Sequence, residues 1–275
     1  MIEPQRIGRF LNVDGAGCVV PDVAAEHIGT VWQPLVAFVR DALMRRPGVR
    51  SIYLRGSIAR GLAIEEISDA DFIYLSETNF DPADIELEKA AAARFPFVKS
   101  VALFRLDRAG FDHIRPRQTR PYFQMLLKTQ SLFLGGDDVT EDVAPFRAGP
   151  DMVSHVFSLA DDFVRLPRLL QHGRDSGVEQ EMCQWFSRRV VRSGFEITMD
   201  RSDRFTRDLY LCYEQFAEFY PDRAAPMFRV LVNCLDGQES PLQYGELIAF
   251  LAAKSARLTV ANPASMGVLD RRQKF

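Results

Sequence analysis

The stretch from Ser51 to Leu75, SIYLRGSIARGLAIEEISDADFIYL, constrains the fold more than any other part of the chain, because two apolar runs bracket a glycine break and a pair of acids. Ile52-Tyr53-Leu54 reads as a buried strand, Gly56-Ser57 breaks it, and Phe72-Ile73-Tyr74-Leu75 reads as the next strand. Between them the pattern predicts a short helix from Ile58 to about Glu65, with its free N–H groups pointing back at the Gly56-Ser57 turn. Such an end suits an anion. Glycine lets a phosphate approach the backbone closely, the Ser57 hydroxyl can donate one more hydrogen bond, and Arg60 adds a charged donor. Side chains alternate along a strand, so Asp69 and Asp71 share one face while Ala70 and Phe72 point into the core. Two like charges so placed repel unless a cation joins them, and oxygen-only ligation favours Mg2+ held jointly with substrate phosphates. Phosphate and metal together are the equipment for transferring a phosphorus group.

The ordered set Gly56-Ser57, Arg60-Gly61 and Ser68-Asp69-Ala70-Asp71, with eleven residues between Ser57 and Asp69, resembles the signature of the DNA polymerase beta-like nucleotidyltransferase superfamily. The resemblance implies that Gly56 and Ser57 hold the triphosphate tail of a nucleotide and that Asp69 and Asp71 bind metal and serve catalysis. It implies transfer of a nucleoside monophosphate from an NTP to an acceptor hydroxyl, with pyrophosphate leaving. Mg2+ is the expected ion, Mn2+ a substitute, and ATP the first choice of donor on family frequency. Members usually carry a third carboxylate on a later strand, and here Ala102 stands about where it is expected. Asp107 at the end of that strand, or Asp137 or Asp138 after Gly135-Gly136, are the candidate replacements; the other reading makes those residues parts of turns.

Around this unit the pattern changes once. A helix is expected from about Pro21 to Arg45, another from Pro82 to Arg94, a strand from Val98 to Leu106, and a helix from Thr119 to Gln130. Alternation of this kind predicts an α/β (α+β) layer with helices on a mixed sheet. After Gly149-Pro150 the strand signal fades and amphipathic helices follow one another, with Met182, Trp185, Phe186 and Val190 on one face and Tyr244, Leu247, Ile248 and Leu251 on another. The expected division is therefore a nucleotidyltransferase-like domain over 1–149 and an all-α bundle over 150–275, a plan similar to that of antibiotic and other small-substrate nucleotidyltransferases. The tail from about Asn262 is poor in apolar residues and is expected to be mobile or bound to a partner.

The 275 residues are 47% hydrophobic and 26% charged, enough to bury a full core. A net charge of -3 disfavours a protein built mainly to coat nucleic acid, so the acceptor is first expected to be a small molecule. Neither the four cysteines nor the four histidines show metal-ligand spacing. The N-terminus MIEPQRIGRF lacks an apolar signal core, and no run approaches the roughly 20 apolar residues of a membrane span, so a cytoplasmic location is expected. Arg115, Arg117 and Arg120 form a basic cluster that reads either as a phosphate or nucleic-acid contact or as an exposed face. Two other functions stay open: a nucleotide-binding or regulatory protein that does no chemistry, which Ala102 favours, and an RNA- or protein-modifying, toxin-type nucleotidyltransferase.

Overall fold

The computed structural model describes residues 3–77, 82–175 and 177–258. The tail from Asn262 lies outside them. The chain divides into two compact units, one made of Val19–Arg115 and Arg120–Phe146, the other of Met1–Cys18, Pro116–Thr119 and Arg147–Phe275.

The first unit is built on a four-stranded mixed sheet in the order β3-β2-β1-β4. Strand β1 (Val49–Arg55) pairs antiparallel with β2 (Ala70–Ser76) and with β4 (Ser131–Gly136), while β2 runs parallel to β3 (Val101–Leu106). The parallel pair needs a crossover, which α2 (Ala83–Arg94) supplies. One sheet face carries Ile52, Leu54, Phe72 and Tyr74, and these pack with Leu35, Val36, Val39 and Leu43 of α1 (Gln33–Met44) and with Leu87 and Ala91 of α2. Ala70 and Phe72 are fully buried in this core, as strand alternation requires. Helix α1 starts at Gln33 and not near Pro21, because Pro34 has no N–H to give and is tolerated in a first turn but not in a helix interior. Upstream of it stands only a 3-10 turn, Ala25–His27. The β2–α2 end is pinned by Asp84, which is buried, ion-paired with Arg46 and accepts a 2.6 Å hydrogen bond from the Tyr74 hydroxyl. Two further helices, α3 (Arg108–Asp112) and α4 (Tyr122–Gln130), complete the unit.

The second unit is helical. Its elements are α5 (His155–Asp175), α6 (Glu179–Glu196), α7 (Leu209–Phe219), α8 (Ala224–Asp236) and α9 (Gly245–Ser255). Helix α6 is central and touches α5, α7, α8 and α9, which is why Phe186, Val190 and Val191 are fully buried. Tyr244, Leu247, Ile248 and Leu251 are buried as the periodicity requires. The carboxylate of Glu196, at the end of α6, accepts hydrogen bonds from the backbone N–H groups of His155 (3.0 Å) and Val156 (2.8 Å) and from the Ser154 hydroxyl (3.1 Å). It thereby satisfies the open N-terminus of α5, whose partial positive charge favours an anion. Among the described residues no helix is long and apolar enough to cross a membrane.

Candidate functional site

Strand β1 ends at Arg55, and Gly56 turns the chain with φ +83, a left-handed conformation that side chains with a Cβ seldom adopt. The turn brings the Gly56 backbone against Asp71: a Cβ on Gly56 would stand 3.5 Å from Asp71 Oδ2. The two halves of the sequence motif therefore meet.

Beyond Gly56 the expected helix does not form. The Ser57 carbonyl accepts from Arg60 N (3.3 Å) and Leu62 N (2.9 Å), Gly61 N donates to Ile58 O (3.2 Å), and Gly61 then leaves the helical path at φ +71. Room is also lacking, since a Cβ on Gly61 would come within 2.9 Å of the His27 carbonyl oxygen. One tight turn remains, anchored by fully buried Ile58 and Ala59. Arg60 sits on this turn with its Nε 2.7 Å from Asp22 Oδ2, and both side chains are largely buried. The pair ties the turn to the segment that precedes α1.

The approach to β2 runs beside the approach to β3. Lys99 N donates to Ser68 O (3.2 Å) and Ala70 N to Ser100 O (2.8 Å), so the parallel pairing begins before either strand does. Asp69 is exposed, and its Oδ1 accepts a 2.7 Å hydrogen bond from the Ser100 hydroxyl. Asp71 is half-buried. It stands in register with Arg55 on β1 and with Ala102 on β3, and Arg55 Nε lies 3.5 Å from its Oδ2. Arg55 and Ser100 are contacts that the sequence pattern did not single out. Strand parity alone, read across a β1–β2 antiparallel pair, would have pointed to Arg55.

Ala102 occupies the neighbouring register position to Asp71, so the place of the expected third acid is filled by a methyl group. The candidate replacements have other work. Asp107 caps α3, accepting from Gly110 N at 2.7 Å. Asp138 accepts from the Tyr53 hydroxyl (2.9 Å), Thr140 N (2.9 Å) and Thr140 Oγ1 (2.8 Å). Burial pushes its carboxyl up, but those hydrogen bonds and nearby Lys128 outweigh it and hold the group below the ordinary range. Asp137 is engaged through its backbone, its N–H donating to Arg50 O (2.8 Å) and its carbonyl accepting from the Ser51 hydroxyl. Both follow Gly136, which pairs with Ser51 at the end of β1 remote from Gly56.

The donor set is thus two carboxylates, and among the described residues no group of three His, Cys, Asp or Glu is placed to hold a metal ion. Two carboxylates do not make an all-protein cage. They do fit an Mg2+ shared with substrate phosphates, which needs only one or two from the protein. The other expected basic contacts are spoken for: Arg120 donates to the carbonyls of Ala144 and Pro145, and Arg117 to Ser255 O. Arg115 lies over the Tyr122 ring at 4.2 Å.

Residues 38–105 match the nucleotidyltransferase domain family, a span that takes in the second half of α1, the Gly56 turn, both aspartates and Ala102. Among solved structures, a crystal structure of spectinomycin adenyltransferase AAD(9) from Enterococcus faecialis with ATP and spectinomycin is 11% identical with a TM-score of 0.44, the match covering 80% of this chain and 98% of that one. No curated protein sequence matches the chain.

Proposed function

We propose that this chain, which carries a nucleotidyltransferase domain of the DNA polymerase beta-like superfamily over residues 38–105, transfers a nucleoside monophosphate from an NTP, ATP first, to the hydroxyl of a small-molecule acceptor in the cytoplasm. One observation carries the reading: the left-handed Gly56 turn lies against the Asp71 carboxylate, which puts a phosphate-accessible backbone beside an oxygen ligand. The domains proposed are 1–149 for the chemistry and 150–275 for the helical bundle.

In this reading Gly56 and Ser57 hold the triphosphate tail through backbone N–H groups and the Ser57 hydroxyl. Arg60, positioned by Asp22, adds a charged donor beside the turn. Asp69 and Asp71 would hold Mg2+ together with the phosphates, and the ion would supply charge neutralisation on the phosphoryl oxygens and a lower pKa for the attacking hydroxyl. The acceptor oxygen forms a bond to the α-phosphorus, the bond from that phosphorus to the β-bridging oxygen breaks, and pyrophosphate leaves with the electron pair. With a methyl group at Ala102, the hydroxyl proton passes to solvent. Positioning and charge neutralisation supply most of the acceleration in phosphoryl transfer, so a site without a dedicated base still has the larger part of its equipment.

Ala102 also favours a second reading, a protein that binds a triphosphate with metal and does no chemistry. One experiment separates the two. The protein is incubated with Mg2+ and each γ-labelled NTP, with and without aminoglycoside-like acceptors, beside Asp69→Ala/Asp71→Ala. Acceptor-dependent pyrophosphate release that disappears in the double variant is the expected result. Release that persists in that variant sinks the site; metal-dependent binding without release by any acceptor favours the second reading.

A further inference from the structure

Arg55 is ion-paired with one of the candidate carboxylates, and its position is fixed by the fold. It is the last residue of β1, in antiparallel register with Asp71, and Gly56-Ser57 follows it directly. Its Nε lies 3.5 Å from Asp71 Oδ2, and both side chains are about one-third exposed, so each can exchange its partner for another without leaving a buried charge behind. Asp69 is exposed and accepts a hydrogen bond from the Ser100 hydroxyl. Two carboxylates and one guanidinium leave a single net negative charge around the turn. Ala102 adds none, and Asp107 and Asp138 are committed to Gly110 N and to Tyr53 and Thr140.

We infer that Arg55 is the built-in counter-ion of this site: it holds Asp71 while the site is empty, turns to the triphosphate when nucleotide arrives, and so makes the site take one divalent cation together with the nucleotide. The inference rests on the proposed function and adds to it a residue and a stoichiometry. Three consequences follow from charge alone. Without nucleotide, Arg55 competes for Asp71 and keeps free-cation affinity low. With nucleotide, the guanidinium gains phosphate oxygens that match its planar donor fork, and Asp71 is released. A second divalent cation finds no carboxylate at the register position beside Asp71, where Ala102 stands.

The test uses the full chain, Mn2+ as the probe ion read by its paramagnetic resonance signal, and α,β-methylene ATP, whose α–β bond cannot be cleaved. Arg55→Gln removes the charge and keeps a donor; Arg55→Lys keeps the charge. The expected results for Arg55→Gln have opposite signs. Mn2+ alone binds about five- to tenfold more tightly than to the native protein, because an adjacent unit charge is gone, while the nucleotide analogue binds about tenfold more weakly, and Arg55→Lys restores most of both. At saturating analogue the native protein holds one Mn2+. A role limited to bracing the turn would weaken both ligands in Arg55→Gln, and that result, or unchanged Mn2+ affinity, or two Mn2+ per native chain, overturns the inference. If the native protein binds neither Mn2+ nor the analogue, the proposed function falls first, and Arg55 has nothing to balance.

Discussion

Gly56→Ala separates what the turn does for the fold from what it does for a ligand. In the free protein the new methyl group meets Asp71 Oδ2 at 3.5 Å, an ordinary van der Waals distance, so there is no clash to relieve. What remains is the left-handed backbone at φ +83, which costs a residue with a Cβ roughly 1–2 kcal/mol. For a chain of this size that lowers the melting temperature by about 2–8 °C, and the protein stays folded at 25 °C. A ligand sees a larger change. The methyl fills the space between the turn backbone and the Asp71 carboxylate, where a phosphate would approach both, and affinity for α,β-methylene ATP with Mg2+ is expected to fall at least tenfold, about 1.4 kcal/mol. Circular dichroism melts and calorimetric titration give the two numbers on one preparation. A variant that melts a few degrees low yet binds the analogue within twofold of the native protein refutes the placement of the triphosphate at Gly56.

Three further expectations concern parts of the molecule that the sequence signature does not cover or explain. Glu196→Ala strands the backbone N–H groups of His155 and Val156 in a buried site, which should cost about 3–5 kcal/mol and lower the thermal midpoint by at least ~6 °C; a shift under 2 °C would show that these groups find other partners. Burial, reinforced by Arg207 and Arg192 and opposed by Glu196, pushes His155 down to about 4, so the folded state binds fewer protons than the unfolded state between that value and the ordinary 6.5. Stability therefore rises with pH across that window, by up to ~3 kcal/mol, is complete above it, and is lost as pH falls; denaturant titrations from pH 4 to 7 should show the slope, and His155→Asn should flatten it. Ala102→Asp puts a third carboxylate in register beside Asp71, so it should destabilise the chelated protein by roughly 0.2–1 kcal/mol, and Mn2+ should reverse the loss; a variant whose melting is indifferent to Mn2+ would place residue 102 away from the ion.

The turn at Gly56 and the alternation of Asp69 and Asp71 with Ala70 and Phe72 were legible in the sequence because each is a local event. Gly-Ser after an apolar run requires a turn, and acids alternating with Ala70 and Phe72 must face away from the core those residues enter. The domain's mixed sheet and the helical run after Pro150 were legible for the same reason, through changes of period. What failed to show was set by distant groups. The helix expected from Ile58 is cut to a turn by Gly61 meeting the His27 carbonyl, and nothing near Ile58 announces that His27 will be there. Strand β4 was hidden because Leu132-Phe133-Leu134-Gly135-Gly136 ends in glycines that read as a loop, and only the pairing with β1 makes it a strand. Arg55 does not stand out in the sequence, because its meaning depends on the register with Asp71. Arg60 reads as a phosphate donor, and what the sequence does not show is that Asp22, thirty-eight residues away, holds its Nε.

The helical unit gathers three separate pieces of chain, and this bears on how the protein can be cut. Its first piece is bound in by Leu11 N to Phe205 O (2.7 Å), Thr206 Oγ1 to Arg9 O (2.9 Å) and the Arg6–Glu214 pair; its second by Arg117 to Ser255 O (2.9 Å) and Thr119 Oγ1 to Asp151 Oδ1 (2.7 Å). A gene fragment beginning at residue 147 would encode a bundle stripped of all these partners, with Phe205 and buried Thr206 newly wetted. Fragment complementation, domain swapping with a relative, or a reporter inserted at 149 would each sever the same ties. Grafting of the helical unit is therefore better attempted as a three-segment transplant than at a single junction.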